Sequence, residues 1–300
     1  MGVWGSGLYS GDFAKDIRAC VSAVIRLPYD GQRLTEILSN VEPTAANNAD
    51  NEDHTTFWLI IADQFEKRGV LCESVRSKAL QIIDQGTDLA MLKSLGMDQP
   101  GLRRRDKVLS ELRARLSAQS PTSTRRPVLK KPQPYLMEVG DLFIYPTYGG
   151  KCINPYARSK EHIPGGWAQD SWAAALIVDR GRAFDFLAWY RPLTLSGPVP
   201  HRPQFDSLRS TGPWVLRQPG TCSAVHFKRM ELEKIGSASI DYERVNRLFV
   251  SMPSGTYQAI NDISIANHLS ISPAIDFERS FVPYQTISEL KKVLGKIKGG

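Results

Sequence analysis

The chain has 300 residues, 42% of them hydrophobic and 23% charged, with a formal net charge of +7 at pH 7 and four cysteines. That composition excludes wholesale disorder, and the length exceeds what one ordinary core needs, so two domains are expected. The longest strongly apolar stretch, Phe57 to Ala62, is far too short for a membrane span, and the opening residues show no basic segment leading into an apolar one, so the cytoplasm is the expected address.

The first elements read as helices. Phe13, Ile17, Cys20, Val21 and Val24 recur at helical spacing between Ser10, a candidate cap, and Pro28, a stop. A shorter helix is predicted from Gly31 to Leu38, then a polar loop from Val41 to Glu52. A helix starting at Asp53 or Thr55 and ending at Gly69 is apolar on nearly every side, which marks it as central, with Trp58 buried. Helices over Glu73 to Gln85, Asp88 to Leu95 and Arg103 to Leu116 complete this half. The last carries a stripe of Val108, Leu109, Leu112 and Leu116, with its arginines mostly off the stripe.

Charge concentrates where this half ends. Between Arg103 and Lys131 ten basic residues face only Asp106 and Glu111, a local excess of +8 in a chain of net +7. Such a strip attracts phosphate or an acidic protein surface, and it is equally what a solvated helix face looks like. Arg103, Arg104, Arg105, Arg125, Arg126, Lys130 and Lys131 are the candidate contacts, none of them expected in a core. Residues 117–134 hold four prolines, four of those basic residues and no acid, and read as an exposed linker.

Beyond the linker the period turns to that of strands. These are predicted at Tyr135 to Pro146, Ala173 to Asp179, Ala183 to Arg191, Trp214 to Arg217 and Ala224 to Met230. Turn signals stand at Gly149-Gly150, Gly165-Gly166, Gly181 and Pro198 to Pro203. Trp167, Trp172, Trp189 and Trp214 suit the core of a small sheet. Helices follow at Asp241 to Phe249 and, amphipathic with a lysine face, at Ser288 to Lys298.

Two segments resemble known proteins. Trp4-Gly5-Ser6-Gly7 with Asp12, Ala14 and Asp16, then Phe57-Trp58-Leu59, Ala62-Asp63, Ile82-Ile83-Asp84 and Val108-Leu109, resembles an uncharacterised bacterial family beginning M-G-x-W-G-x-G. Val139-Gly140-Asp141-Leu142-Phe143 with Tyr145-Pro146 looks like the first strand of the β domain of certain immunity proteins of polymorphic toxin systems. The resemblance implies a bacterial protein some of whose relatives neighbour toxin or defence genes. It transfers no catalytic residue.

Candidate chemistry is thin. Gly5-Ser6-Gly7 and Gly11 follow no strand, so a structured turn with Trp4 packed inward is expected rather than a phosphate cradle. Gly149-Gly150-Lys151 lacks the rest of a P-loop and reads as a hairpin turn. Cys222 and His226, four apart in a predicted strand, would stand about 13 Å apart, too far for a thiolate–imidazole pair. His54 follows Asp53, whose expected work is capping, and His162, His201 and His268 have no carboxylate at telling spacing. Asp50, Glu52 and Asp53 lack the glycine and terminal Glu of a calcium loop. No cysteine falls in a C-x-x-C pair, so four reduced, mostly buried thiols are expected, with neither a metal nor a cofactor. Gly299-Gly300 is like a modifier tail but follows a lysine-rich helix.

The expected fold is α+β: a helical domain over 1–116, the basic linker over 117–134, and a mainly antiparallel β domain with peripheral helices over 135–300. The leading function is a non-catalytic binding or adaptor protein of a bacterial conflict system, immunity-like and partnered by a toxin or another defence component. The rivals are nucleic-acid binding through the basic strip and an enzyme whose site assembles only in three dimensions.

Overall fold

The computed structural model describes residues 5–118, 126–153, 168–217, 219–248, 264–268 (backbone only) and 286–295. The fold is α+β, and the chain divides into two compact units at Lys131/Pro132.

The described residues of the first unit form seven helices: α1 (Asp12–Val24), α2 (Gly31–Val41), α3 (Pro43–Asn47), α4 (His54–Glu66), α5 (Glu73–Asp84), α6 (Thr87–Ser94) and α7 (Gln99–Ser117). Local chemistry sets their ends. The Asp30 carboxylate accepts from the Arg33 N–H at 2.8 Å and that of Asp98 from Gly101 N–H at 2.7 Å, each filling an orphan donor of a first turn. Gly86, at φ +65°, both stops α5 and precedes α6, a left-handed position that favours glycine. α1 is capped at Gly11, not Ser10, and without a side-chain bond. The polar segment predicted as a loop contains α3, because Pro43 presets its first turn.

α4 is central, as its all-round apolarity requires. Phe57, Leu59, Ile60, Ile61, Ala62 and Phe65 are wholly covered. Trp58 is not. It is half-buried at the rim, its indole N–H donating to the Ala46 carbonyl at 3.1 Å, so Phe57 rather than Trp58 holds the central aromatic position.

The second unit holds β1 (Asp141–Thr147), β2 (Ser171–Ala183), β3 (Leu187–Leu195), α8 (Phe205–Arg209), β4 (Trp214–Leu216), β5 (Gly220–Thr221), α9 (Ala224–Arg229), β6 (Glu233–Ser237), α10 (Tyr242–Leu248), β7 (Ser264–His268) and β8 (Thr286–Ile287). One sheet runs β6-β1-β2-β3-β4-β8 in antiparallel pairs, and β5 joins β3 to β7, the latter pair parallel. Both faces are covered. Leu142, Ile144, Leu176, Leu193 and Trp214 pack on one side, and Phe143, Tyr145, Ile177, Tyr190 and Cys222 on the other. That explains why β1 reads as a continuous apolar run.

Three sequence readings change here. Gly181 lies inside β2, opposite Trp189, whose ring would stand 2.6 Å from any Cβ there. The turn comes later, where Phe184 and Asp185 adopt φ of +52° and +61° without a glycine to signal it. Ala224 to Met230 forms α9 rather than a strand, because the Ser223 hydroxyl accepts from the His226 N–H at 3.1 Å and starts a helix. Within Ser288 to Gly295 the expected helix is only a 3-10 turn at Leu290–Lys292. The Val293 carbonyl accepts from Asp241 N–H at 2.9 Å and Gly295 N–H donates to Ser239 at 2.8 Å, so lateral bonds to 239–241 replace helical ones. Leu290, Val293 and Leu294 still face inward. Lys296 to Gly300, with Trp167 and Gly165-Gly166, lie outside the described residues.

Candidate functional site

The basic strip is divided between exposed cations and arginines engaged within the helical unit. Arg105 is a correction to the expectation: only 4% exposed, it fills a position of the α7 stripe, Leu102–Arg105–Leu109–Leu112–Leu116. Its guanidinium grips the Asp88 carboxylate at 2.8 and 3.0 Å and donates to the Gly7 carbonyl at 3.0 Å. Thr55 donates to the same carboxylate at 3.1 Å. Arg113 pairs with Asp84 at 2.6 Å, and Arg115 spans Asp63 and Glu66. Arg126, also expected to be solvated, is half-buried and donates to the carbonyls of Ile25, Leu27 and Tyr29 just past the end of α1. The Leu129 N–H follows onto Arg26 at 2.8 Å, so this stretch of the linker is stitched to the helical unit. Arg103, Arg104, Lys107, Lys130 and Lys131 stay exposed with no ion pair among the described residues, and Arg125 lies outside them.

What the arginines build instead is a clamp on the N-terminal turn. Tyr9 donates to Asp63 and accepts from Gln64, while Lys67 holds Asp63 at 2.8 Å. Burial works to raise the Asp63 carboxyl, but the bonds from Lys67, Tyr9 and Arg115 overcome it and hold the group below the usual range. Burial and that carboxylate push the Tyr9 phenol up. Gly5 and Gly7 lie against Ser10, where a Cβ on Gly7 would meet the hydroxyl at 2.8 Å. From Gly5 to Ser10 the glycine-rich opening is therefore a packed turn and no cradle, while Trp4, expected to pack inward, lies outside the described residues. Beside it a cleft of about 90 Å³ is walled by Phe13, Leu92 and Leu95, with Asp12, Glu52 and Asp53 at its lining.

The nucleophile candidates are held in their inactive forms. Because α9 is a helix, the separation argued for Cys222 and His226 falls away. Burial nevertheless pushes the Cys222 thiol up to about 12, so it is protonated at neutral pH. Cys20 is pushed up to about 11 by burial and by Glu42 and Asp16. The four cysteines are free, two buried and two partly so. His54 is buried and donates from Nδ1 to the Ala45 carbonyl at 2.7 Å, with its Nε2 unbonded among the described residues. Burial lowers its pKa. Asp53 does not cap α4 with its side chain.

Gly149-Gly150 forms the predicted hairpin turn, Tyr148 and Lys151 exchanging bonds of 2.9 and 3.2 Å. No group of three or more potential metal ligands gathers among the described residues, nor is any described helix long and apolar enough to cross a membrane. No family model matches the chain, and neither a curated protein nor a solved structure does.

Three large apolar side chains stay exposed among the described residues of the sheet unit, Val225, Tyr242 and Leu248, and two of them share one helix. On α10, Val245 is seated in the core while Tyr242 and Leu248, three residues to either side and on the same helical face, are 49% and 42% exposed. Sequence reading placed a helix at Asp241 to Phe249 but assigned it no face. The spacing of Tyr242, Val245 and Leu248 was the available signal.

Proposed function

We propose that the chain is a non-catalytic binding or adaptor protein of a bacterial conflict or defence system, acting in the cytoplasm and occupying the surface of a partner protein. The observation that carries the reading is the half-seated face of α10, where an aromatic and a leucine flank a buried anchor. Such a face gains by covering its open ends, and aromatic side chains contribute strongly to protein interfaces. The raised thiols of Cys20 and Cys222 and the engagement of Arg105 and Arg115 with buried carboxylates support it, since each withdraws a group that another activity would use. The resemblance to immunity proteins supports the biological setting.

The test is co-expression with the products of adjacent genes, followed by size-exclusion chromatography. A complex formed by the wild type and lost in Tyr242→Asp/Leu248→Asp, with an unchanged melting temperature, is the expected result. A complex that survives the double variant moves the interface off α10. Nucleic-acid binding stays in view through the exposed Arg103, Arg104, Lys107, Lys130 and Lys131. Sequence-independent contacts of this kind set an affinity for duplex or single strands no tighter than about 10⁻⁶ M near physiological salt. Nanomolar binding that collapses between about 50 and 200 mM salt would put nucleic acid first.

A further inference from the structure

The sheet unit contains a second feature, independent of α10. A cavity of about 230 Å³ opens between α8 and the chain that follows β6, lined by Phe205, Arg209, Ser237, Ser239, Leu294 and Gly295. Two glycines give it shape. Gly236 lets the Phe205 ring lie against β6, where a Cβ would meet it at 2.5 Å. A Cβ on Gly295 would crowd the Ser239 hydroxyl at 2.8 Å.

Its chemistry points one way. The one charged group among the described lining residues is Arg209. Its nearest carboxylate, Asp206, stands 4.0 Å away and is 92% exposed, so water screens that pair and leaves the guanidinium able to take a second anion. Ser237 gives its proton to Asp141 at 2.8 Å, whereas the Ser239 hydroxyl has no hydrogen-bond partner among the described residues and is available as a donor. Phe205 and Leu294 supply apolar wall. The volume admits several heavy atoms but is below that of a drug-sized pocket.

We infer that this cavity binds a small carboxylate carrying an apolar group, the guanidinium fork of Arg209 taking the carboxylate, Ser239 donating a further bond, and Phe205 stacking on the apolar part. A free organic acid and the C-terminal carboxylate of a peptide present the same chemistry.

The test is titration of the ¹⁵N-labelled full chain with benzoate, with benzamide as the neutral isostere, and with a phenylalanine-terminated tripeptide in free-acid and amidated forms. Saturable shifts confined to residues 205–209, 237–239 and 294–295 are expected for benzoate. Binding should weaken about tenfold or more in Arg209→Gln, the loss of a charge-assisted bond. Ser239→Val, which leaves the charge alone, should weaken it less and guards against a folding failure of the first variant. Tighter binding of the free-acid peptide than of benzoate names a chain terminus as the source, and the reverse names a free acid. Equal shifts with benzamide, shifts that persist in both variants, or no saturable shift for either acid would overturn the proposal.

Discussion

The two units solve the same problem, a closed interior, with different materials. The helical unit threads charge through its core: Asp63 and Asp88 are 1% exposed, Arg105 is 4% and His54 is 5%. The sheet unit buries fewer charges, Asp141, Arg191 and Arg217, and its largest buried side chains are aromatic: Trp189, Trp214, Tyr145 and Tyr190. Apolar helices can slide and rotate against each other with little penalty, whereas a bidentate ion pair between α6 and α7 is satisfied in one register only. A sheet needs less of this, because its ladder of hydrogen bonds and the period of 2 already set the register. Buried ion pairs contribute little net stability, but removing one partner is costly.

The largest expected effect follows from that asymmetry. Arg105→Met should cost about 3–5 kcal/mol by stranding Asp88, and adding Asp88→Asn should recover part of it. Urea denaturation of both variants checks this, and equal stability of the single variant and wild type would refute the clamp.

Phe57→Ala should cost a similar amount, about 3–5 kcal/mol, by opening a cavity in α4. Trp58→Ala, at the rim, should cost clearly less. A reversed order would place the wrong aromatic at the centre.

A third, smaller effect is a pH dependence of the helical unit. The folded pKa of His54 is depressed, so the unfolded chain takes up the proton first. Stability should be full above about pH 6.5, the unfolded value, and fall as the pH drops below it. Glu42 and Asp53, pushed up by burial, work in the opposite direction at more acid pH. Asp63, held low, loses its contribution only below about pH 3.9. Comparing urea midpoints at pH 7.5 and 5.5 for wild type and His54→Gln isolates the histidine. An undiminished slope in the variant would assign the dependence elsewhere.

The smallest effect concerns the linker. Arg126 is held by three carbonyls, and Pro127 and Pro132 follow Arg126 and Lys131, which blocks trypsin at both bonds. Among the described linker positions, cleavage should therefore begin after Lys130. Arg126→Ala should speed it by loosening the stretch around Leu129, and an unchanged rate would show that the stitch does not restrain the chain.

The amino-acid sequence by itself determined most of the helical unit and the strands of the sheet core. Periodicity of 3.6 placed α1, α5 and α7, and apolar runs placed α4 and the strand cores, because apolar patterning is a local property written in consecutive residues; β1 nevertheless begins at Asp141 rather than Tyr135, and β3 spans Leu187–Leu195 rather than Ala183 to Arg191. Even Arg105 was legible in principle, since it occupies a stripe position of α7. What the sequence left open was decided by partners distant along the chain. Arg105 is buried because Asp88 and the Gly7 carbonyl meet it there, and Arg126 is withdrawn from solvent by backbone at the end of α1. The segment after β8 bends away from a helix because residues 239–241 take its backbone bonds. The α10 face and the Arg209 cavity belong to the same class, since exposure and enclosure are properties of the packed chain and no window of sequence contains them.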